Sequence, residues 1–239
     1  MKRVRLALML LASLALTATD ISSYTIRLMA APDGSGQATA TVLLSGAKAG
    51  TLTLPLGFAP VEKLQLESPL PGLKLEGIPR NGMTQLAFTL PADLPPKTTV
   101  SFSFRLKQVF QVVKLKPGEK SSLPASSRTF KHAFVNTQEA PIGTYRVEFL
   151  FPEGLMAQAI REQLPKPAKN EVGPRVLLGK VDGRQAATLQ LDNLQQGDDT
   201  SMAVELVPTR RSLGWLIAGL LLAGLYLYRF QDLVVTKKS

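Results

Sequence analysis

Val100-Ser101-Phe102-Ser103-Phe104-Arg105-Leu106-Lys107 alternates apolar and polar residues without a break. In an extended chain successive side chains point to opposite faces, so Val100, Phe102, Phe104 and Leu106 share one face and the serines, Arg105 and Lys107 the other. The stretch therefore predicts a strand with one buried and one wet face. Upstream the same period recurs in shorter runs: Tyr24, Ile26 and Leu28; Ala38 to Leu44; Leu52, Leu54 and Leu56; Leu64 and Leu66; Leu73 and Leu75; Leu86, Phe88 and Leu90. Turn chemistry separates them, as Pro32-Asp33-Gly34-Ser35-Gly36 after the first run and Asn81-Gly82 before the last illustrate. Seven or eight short strands in about 95 residues predict an antiparallel β-sandwich of Ig-like type over 19–115.

Downstream the character changes. Lys116-Pro117-Gly118-Glu119-Lys120 and Ser121 to Ser127 have no apolar periodicity, and 116–128 is expected to be a linker. Strand alternation resumes at Phe130 to Val135 and at Tyr145, Val147, Phe149 and Phe151. Met156, Ile160 and Leu164, spaced by four between Gly154 and Pro165, predict one short helix. Val176 to Val181, the Asp182-Gly183 turn, Ala187-Leu189-Leu191 and Met202-Val204-Leu206 then predict further strands. The expectation is a second, smaller β-rich domain over 129–209, with one large sandwich as the alternative.

The two ends carry the remaining apolar runs. Lys2, Arg3 and Arg5 precede Leu6 to Leu16, a run too short to span a bilayer, and small residues follow at Ala15 and Ala18. Residues 1–18 are thus expected to be a signal peptide. Ser212 to Tyr228 has no charge, is rich in Leu, and is bracketed by Arg210 and Arg211 on one side and Arg229 on the other. As a helix it measures about 25 Å, and Trp215, Tyr226 and Tyr228 suit interfacial positions. Residues 212–229 are expected to form a single transmembrane helix, leaving 230–239 as a cytoplasmic tail and the body on the extracytoplasmic side. Within it Gly214 and Ala218, and Gly219 and Ala223, form small-xxx-small pairs suited to helix packing in a membrane.

The formal charge of +10 needs partitioning before it is read. Removing the signal region and everything from Arg210 onward leaves 20 basic and 17 acidic residues, an ordinary surface balance that argues against nucleic-acid binding. Locally the balance is uneven. Arg105, Lys107, Lys114, Lys116, Lys120, Arg128 and Lys131 meet only Glu119 between 105 and 131. Val109, Phe110, Val112 and Val113 break the alternation there and would set apolar groups beside the cations. Lys114, Lys116 and Lys120 are the candidate docking residues, for an acidic protein or anionic lipid headgroups.

Cysteine is absent, which removes disulfides, thiol catalysis and thiolate metal sites. With no Asn-x-Ser/Thr sequon either, the composition fits a bacterial periplasmic location. Ser45-Gly46-Ala47-Lys48 has the Ser-x-x-Lys spacing of penicillin-binding enzymes but lies in a turn rather than at a helix start. Gly173 to Lys180 has the wrong spacing for a phosphate loop. His132, the sole histidine, shares a strand face with Phe130 and Phe134 and reads as structural. Asp198-Asp199 reads as turn chemistry. No catalytic residue, cofactor or metal ligand set is implied. The expected function is that of a non-catalytic, membrane-anchored protein that binds or organises a partner in the cell envelope. The alternatives are an envelope hydrolase of unfamiliar type and a carbohydrate-binding module.

Overall fold

A computed structural model of the chain describes residues 19–67, 70–111, 127–163, 176–209 and 213–235. Among the described residues fourteen strands and one helix form, in chain order: β1 (Asp20–Ala30), β2 (Gly36–Ser45), β3 (Gly50–Pro55), β4 (Glu62–Leu66), β5 (Lys74–Arg80), β6 (Met83–Leu90), β7 (Lys97–Leu106), β8 (Phe110–Gln111), β9 (Arg128–Val135), β10 (Ile142–Leu150), β11 (Leu155–Gln163), β12 (Val176–Val181), β13 (Arg184–Leu194), β14 (Asp199–Pro208) and α1 (Leu213–Val235). The protein is mainly β. The segment expected as signal peptide lies outside the described residues.

A seven-stranded sheet runs β12-β13-β10-β1-β2-β7-β4, beside a four-stranded sheet β11-β14-β9-β8 and a three-stranded sheet β3-β6-β5. Alternation fixes which face of the large sheet is buried. Across its centre Tyr24 pairs with Tyr145 on one side and Val42 on the other, and Val42 pairs with Val100. One step along, Ile26, Ala40 and Phe102 stand in register, then Leu28, Ala38 and Phe104. All these side chains are buried, whereas the intervening Thr25, Arg27, Thr41 and Ser103 keep access to solvent.

Both smaller sheets cover that apolar face. From the four-stranded sheet Phe130 stacks on Phe149 at 3.8 Å and 11°, and Phe134 on Tyr145 at 4.1 Å and 23°. From the three-stranded sheet Phe88 meets Phe102 edge-on at 5.8 Å. One hydrophobic core therefore joins all three sheets, and each fully buried large apolar side chain in it contributes about 1.5–3 kcal/mol.

The turns follow their residue types. Asn81-Gly82 and Asp182-Gly183 take positive φ at both positions, 51° and 77° in the first and 51° and 79° in the second. These are the two-residue hairpin turns that match the twist of antiparallel strands, and they connect β5 to β6 and β12 to β13.

Three expectations are corrected. The strands assigned to separate domains, 19–115 and 129–209, belong to one sheet, because β1 pairs with β10 over its length. The compact unit runs undivided to Val207, with the rest of the chain as the other unit, so one core replaces the expected boundary at 116–128. The β1–β10 pair is parallel, which makes the large sheet mixed rather than purely antiparallel. Residues 155–163 form strand β11, not a helix, and add an edge to the four-stranded sheet. A spacing of four puts Met156 and Ile160 on the same face of a strand as well as of a helix, and pairing with β14 decides the matter.

The helix of the second unit, α1, is 23 residues long, about 34 Å. Its side chains are described from Gly219 to Phe230. Among the described residues no helix is long and apolar enough to cross a membrane.

Candidate docking groove

A hollow of about 690 Å³ on the β unit lies where the basic window meets the apolar core. Its floor is Phe58, Leu106 and Val109, its rim Met83, Gln108 and Lys131. The floor residues are there because the chain leaves β7 at Leu106 and turns back: the Val109 amide donates to the Gly34 carbonyl at 2.8 Å, and Phe110 then pairs with Phe130 of β9. This turn seats Val109 and Phe110 in the core, 7% and 6% exposed, with Phe110 edge-on to Phe149. The expectation that these two stand as apolar groups beside the cations is corrected accordingly. Phe110 belongs to the interior because β8 gives it a partner strand, and Val109 because its amide is tied to Gly34.

The basic window divides. Lys107 is bound to Glu62 at 2.7 Å, a bond that raises the lysine's pKa, hydrogen bonding first and charge second. Arg105 lines a different hollow, of about 400 Å³, with Arg184 and Glu153. Lys131 stands at the rim of the 690 Å³ hollow. Lys114, Lys116 and Lys120, like Val112 and Val113, lie outside the described residues.

Beneath the groove sits the buried polar core. Gly57, at φ +76°, lies so close to the imidazole of His132 that an added Cβ would fall 2.4 Å from Cε1 and 2.6 Å from the Ala133 carbonyl oxygen. Only glycine combines that backbone with that approach. His132 Nε2 and the Tyr145 hydroxyl are 2.6 Å apart, and Phe58 packs on the other side at 4.6 Å. Burial, the dominant cause, lowers the pKa of His132 to about 4, against a smaller opposing effect of the Gly57 backbone. Nδ1 faces that backbone without a well-formed hydrogen bond. Tyr145 is raised well above the ordinary phenol value, by burial first and then by Tyr24, which burial raises as well. All three groups are thus neutral at neutral pH. His132 is 1% exposed and serves packing and one hydrogen bond, out of reach of a dissolved substrate.

The wet face of the seam between β1 and β10 carries a second network that sequence reading missed. Glu148, 3% exposed, is gripped by Arg27 at 2.7 Å and Arg146 at 2.5 Å, and Arg27 also reaches Asp182 at 3.0 Å. Arg27 and Glu148 are register partners in the parallel pair, so the network follows from a long-range pairing that no local pattern announces.

Of the remaining motifs, Gly173 to Lys180 begins outside the described residues and runs into β12, and the others lie at strand ends beside turns. Ser45 ends β2 with its hydroxyl 2.6 Å from that of Ser22, and Gly46 follows at φ +61°. The Asp198 carboxylate accepts the Gln195 amide at 2.8 Å, closing the loop before β14. Among the described residues no three His, Cys, Asp or Glu side chains are placed to share a metal ion. Of the helix-packing candidates, Gly219 and Ala223 are exposed on α1, while the side chains of Gly214 and Ala218 lie outside the described set.

No family model matches the sequence, and no curated protein does. Several solved structures match the chain weakly. A protein described provisionally as nutrient-binding, from Legionella pneumophila, is 13% identical with a TM-score of 0.46, over 78% of this chain and 67% of that one. One described provisionally as a protease, from Parabacteroides distasonis, is 12% identical at 0.45, over 78% and 40%. Leukotriene A4 hydrolase of Saccharomyces cerevisiae is 9% identical at 0.43, over 79% and 29%. This chain thus spans less than half the length of the latter two, and likeness at this level carries no inference about activity or ligand.

Proposed function

We propose that the protein is a non-catalytic, membrane-anchored binding module, with its β unit on the extracytoplasmic side and α1 in the bilayer. The observation that carries the reading is the surface of α1. Leu220, Leu221, Leu222, Leu225 and Leu227 are each 63–68% exposed, and Tyr226 and Tyr228 are exposed beside them. Five consecutive residues, Leu220 to Gly224, without a polar side chain cover more than a full turn, so no side of this stretch faces water comfortably. The described stretch from Gly219 to Phe230 is about 18 Å long, and the sequence continues it without charge back to Ser212. Lipid is the solvent that matches such a surface.

For the β unit, the shared core supports a sandwich-like architecture, related to the Ig-like one expected but with a parallel pair at its centre. The docking groove, apolar below with Lys131 at the rim, suits an acidic partner. Lys114, Lys116 and Lys120 are proposed to extend that basic surface.

The anchor is tested by alkaline carbonate extraction of membranes from cells expressing the full chain. The protein is expected to stay with the membrane pellet, and a chain ending at Pro208 is expected to move wholly to the soluble fraction. Release of the full chain by carbonate would refute the anchor.

A further inference from the structure

On the side of the β unit where the large sheet ends in β12 and the four-stranded sheet ends in β11, no described strand covers the core. Val176, Leu178 and Lys180 of β12 pair with Leu189, Ala187 and Gln185. Leu189 and Ala187 are buried core residues facing the four-stranded sheet, so Leu178 and Lys180 occupy inward positions too. Yet Leu178 is 56% exposed, and a hollow of about 290 Å³ opens between it and Phe151, Met156 and Ala157.

Among the described residues no strand pairs with the backbone edge beside this hollow. The Val176 amide turns away from β13 and donates to Glu162 of β11 at 3.2 Å. Main-chain groups in an antiparallel pair alternate in direction, so the amides and carbonyls of Leu178 and Lys180 point out along the same edge as that of Val176. Among the described residues no strand pairs with β12 there. Lys180, exposed and lining the hollow, has no acidic partner among the described residues.

We propose that the edge of β12 receives an extended peptide strand from a partner protein, placing a bulky apolar side chain over Leu178 and a carboxylate, two positions along, against Lys180. Strand addition supplies main-chain hydrogen bonds, while the hollow and the lysine select alternate side chains. An open edge of this kind otherwise invites indiscriminate pairing. The charge favours a foreign strand over a second copy of this chain, because Val176–Val181 contains no acidic residue and self-pairing would leave Lys180 uncompensated. The site is separate from the docking groove and does not depend on the anchor.

The test uses the full chain in neutral detergent and a fluorescein-labelled peptide, Thr-Ser-Thr-Phe-Thr-Asp-Thr-Ser-Thr, read by anisotropy, with a second peptide carrying Lys in place of Asp. Saturable binding of the Asp peptide is expected. Lys180→Glu should weaken it about tenfold and transfer the preference to the Lys peptide. Leu178→Pro removes an outward amide while sparing the ladder to β13, and should weaken both peptides about tenfold. Should Leu178→Pro disturb the β spectrum, the charge exchange at position 180 decides alone. Absence of saturable binding overturns the proposal, as does binding indifferent to Lys180→Glu. Sedimentation showing a dimer that Leu178→Asp dissociates and the peptide cannot displace would overturn it in favour of self-pairing.

Discussion

Phe149→Ala is expected to lower the stability of the β unit by about 3–5 kcal/mol, a large part of what a domain of this kind possesses. Phe149 is fully buried, stacked face to face on Phe130 and packed against Phe110 and Phe151 at 6.3 and 5.5 Å. Removing the ring opens a cavity where the large and the four-stranded sheets meet, and the surrounding strands are too well paired to collapse into it. Because β1 and β2 share the sheet with β10, the loss should be felt in both halves of the chain. Urea unfolding of the full chain in detergent should remain one transition, displaced to lower denaturant. Amide exchange in β2 and β7 should accelerate together with that in β10 and β13. Acceleration confined to the strands after residue 127 would mean that the halves unfold separately and that the shared core does not couple them.

Acid is expected to destabilise the protein through His132. The folded histidine is held at about 4, below its ordinary value of 6.5, because burial disfavours the imidazolium. Between those values the unfolded chain binds a proton that the folded chain refuses. Its contribution is therefore complete above pH 6.5 and falls by about 1.4 kcal/mol per pH unit on the way down. The total by pH 4 is about 3 kcal/mol. The groups facing the imidazole are the neutral phenol of Tyr145, the ring of Phe58 and the Gly57 backbone, none of which titrates in that range. His132→Gln should cost about 1–3 kcal/mol at pH 7, where the Tyr145 hydroxyl bond is impaired, while removing this share of the acid sensitivity. Equal pH slopes for the two proteins between pH 6.5 and 4.5 would show that His132 is not held neutral.

Strands whose patterning is local were legible in the sequence. Val100 to Leu106 lie in β7, legible because period-two alternation needs no distant partner to be recognised, and the Asn81-Gly82 and Asp182-Gly183 turns carry their own backbone preference. His132 was readable as buried because it alternates with Phe130 and Phe134. Its bond to Tyr145, like the grip of Arg27 on Glu148, depends on which strands meet, and composition does not encode that. The same limit hid the parallel β1–β10 pair, so a Ser- and Pro-containing tract suggested a domain boundary between strands that share one sheet. At β11 a spacing of four fits a helix and a strand equally, and only the pairing with β14 separates them. Val109 and Phe110 broke a pattern and looked like surface, although a broken pattern also marks a turn that returns apolar residues to the core. The candidate cations Lys114, Lys116 and Lys120 stay a sequence expectation, with Lys131 as the neighbour that the fold places beside an apolar groove.

The proposed function requires the β unit and the tail to lie on opposite sides of a bilayer. The most direct measurement is protease accessibility in intact spheroplasts expressing the full chain with one epitope inserted at the Asn81-Gly82 turn and another after Ser239. Added protease should destroy the first epitope and leave the second within a small membrane-protected fragment, which becomes digestible only when detergent opens the membrane. Protection of the turn epitope with loss of the C-terminal one would reverse the topology. Loss of both without detergent would show that α1 does not cross the membrane.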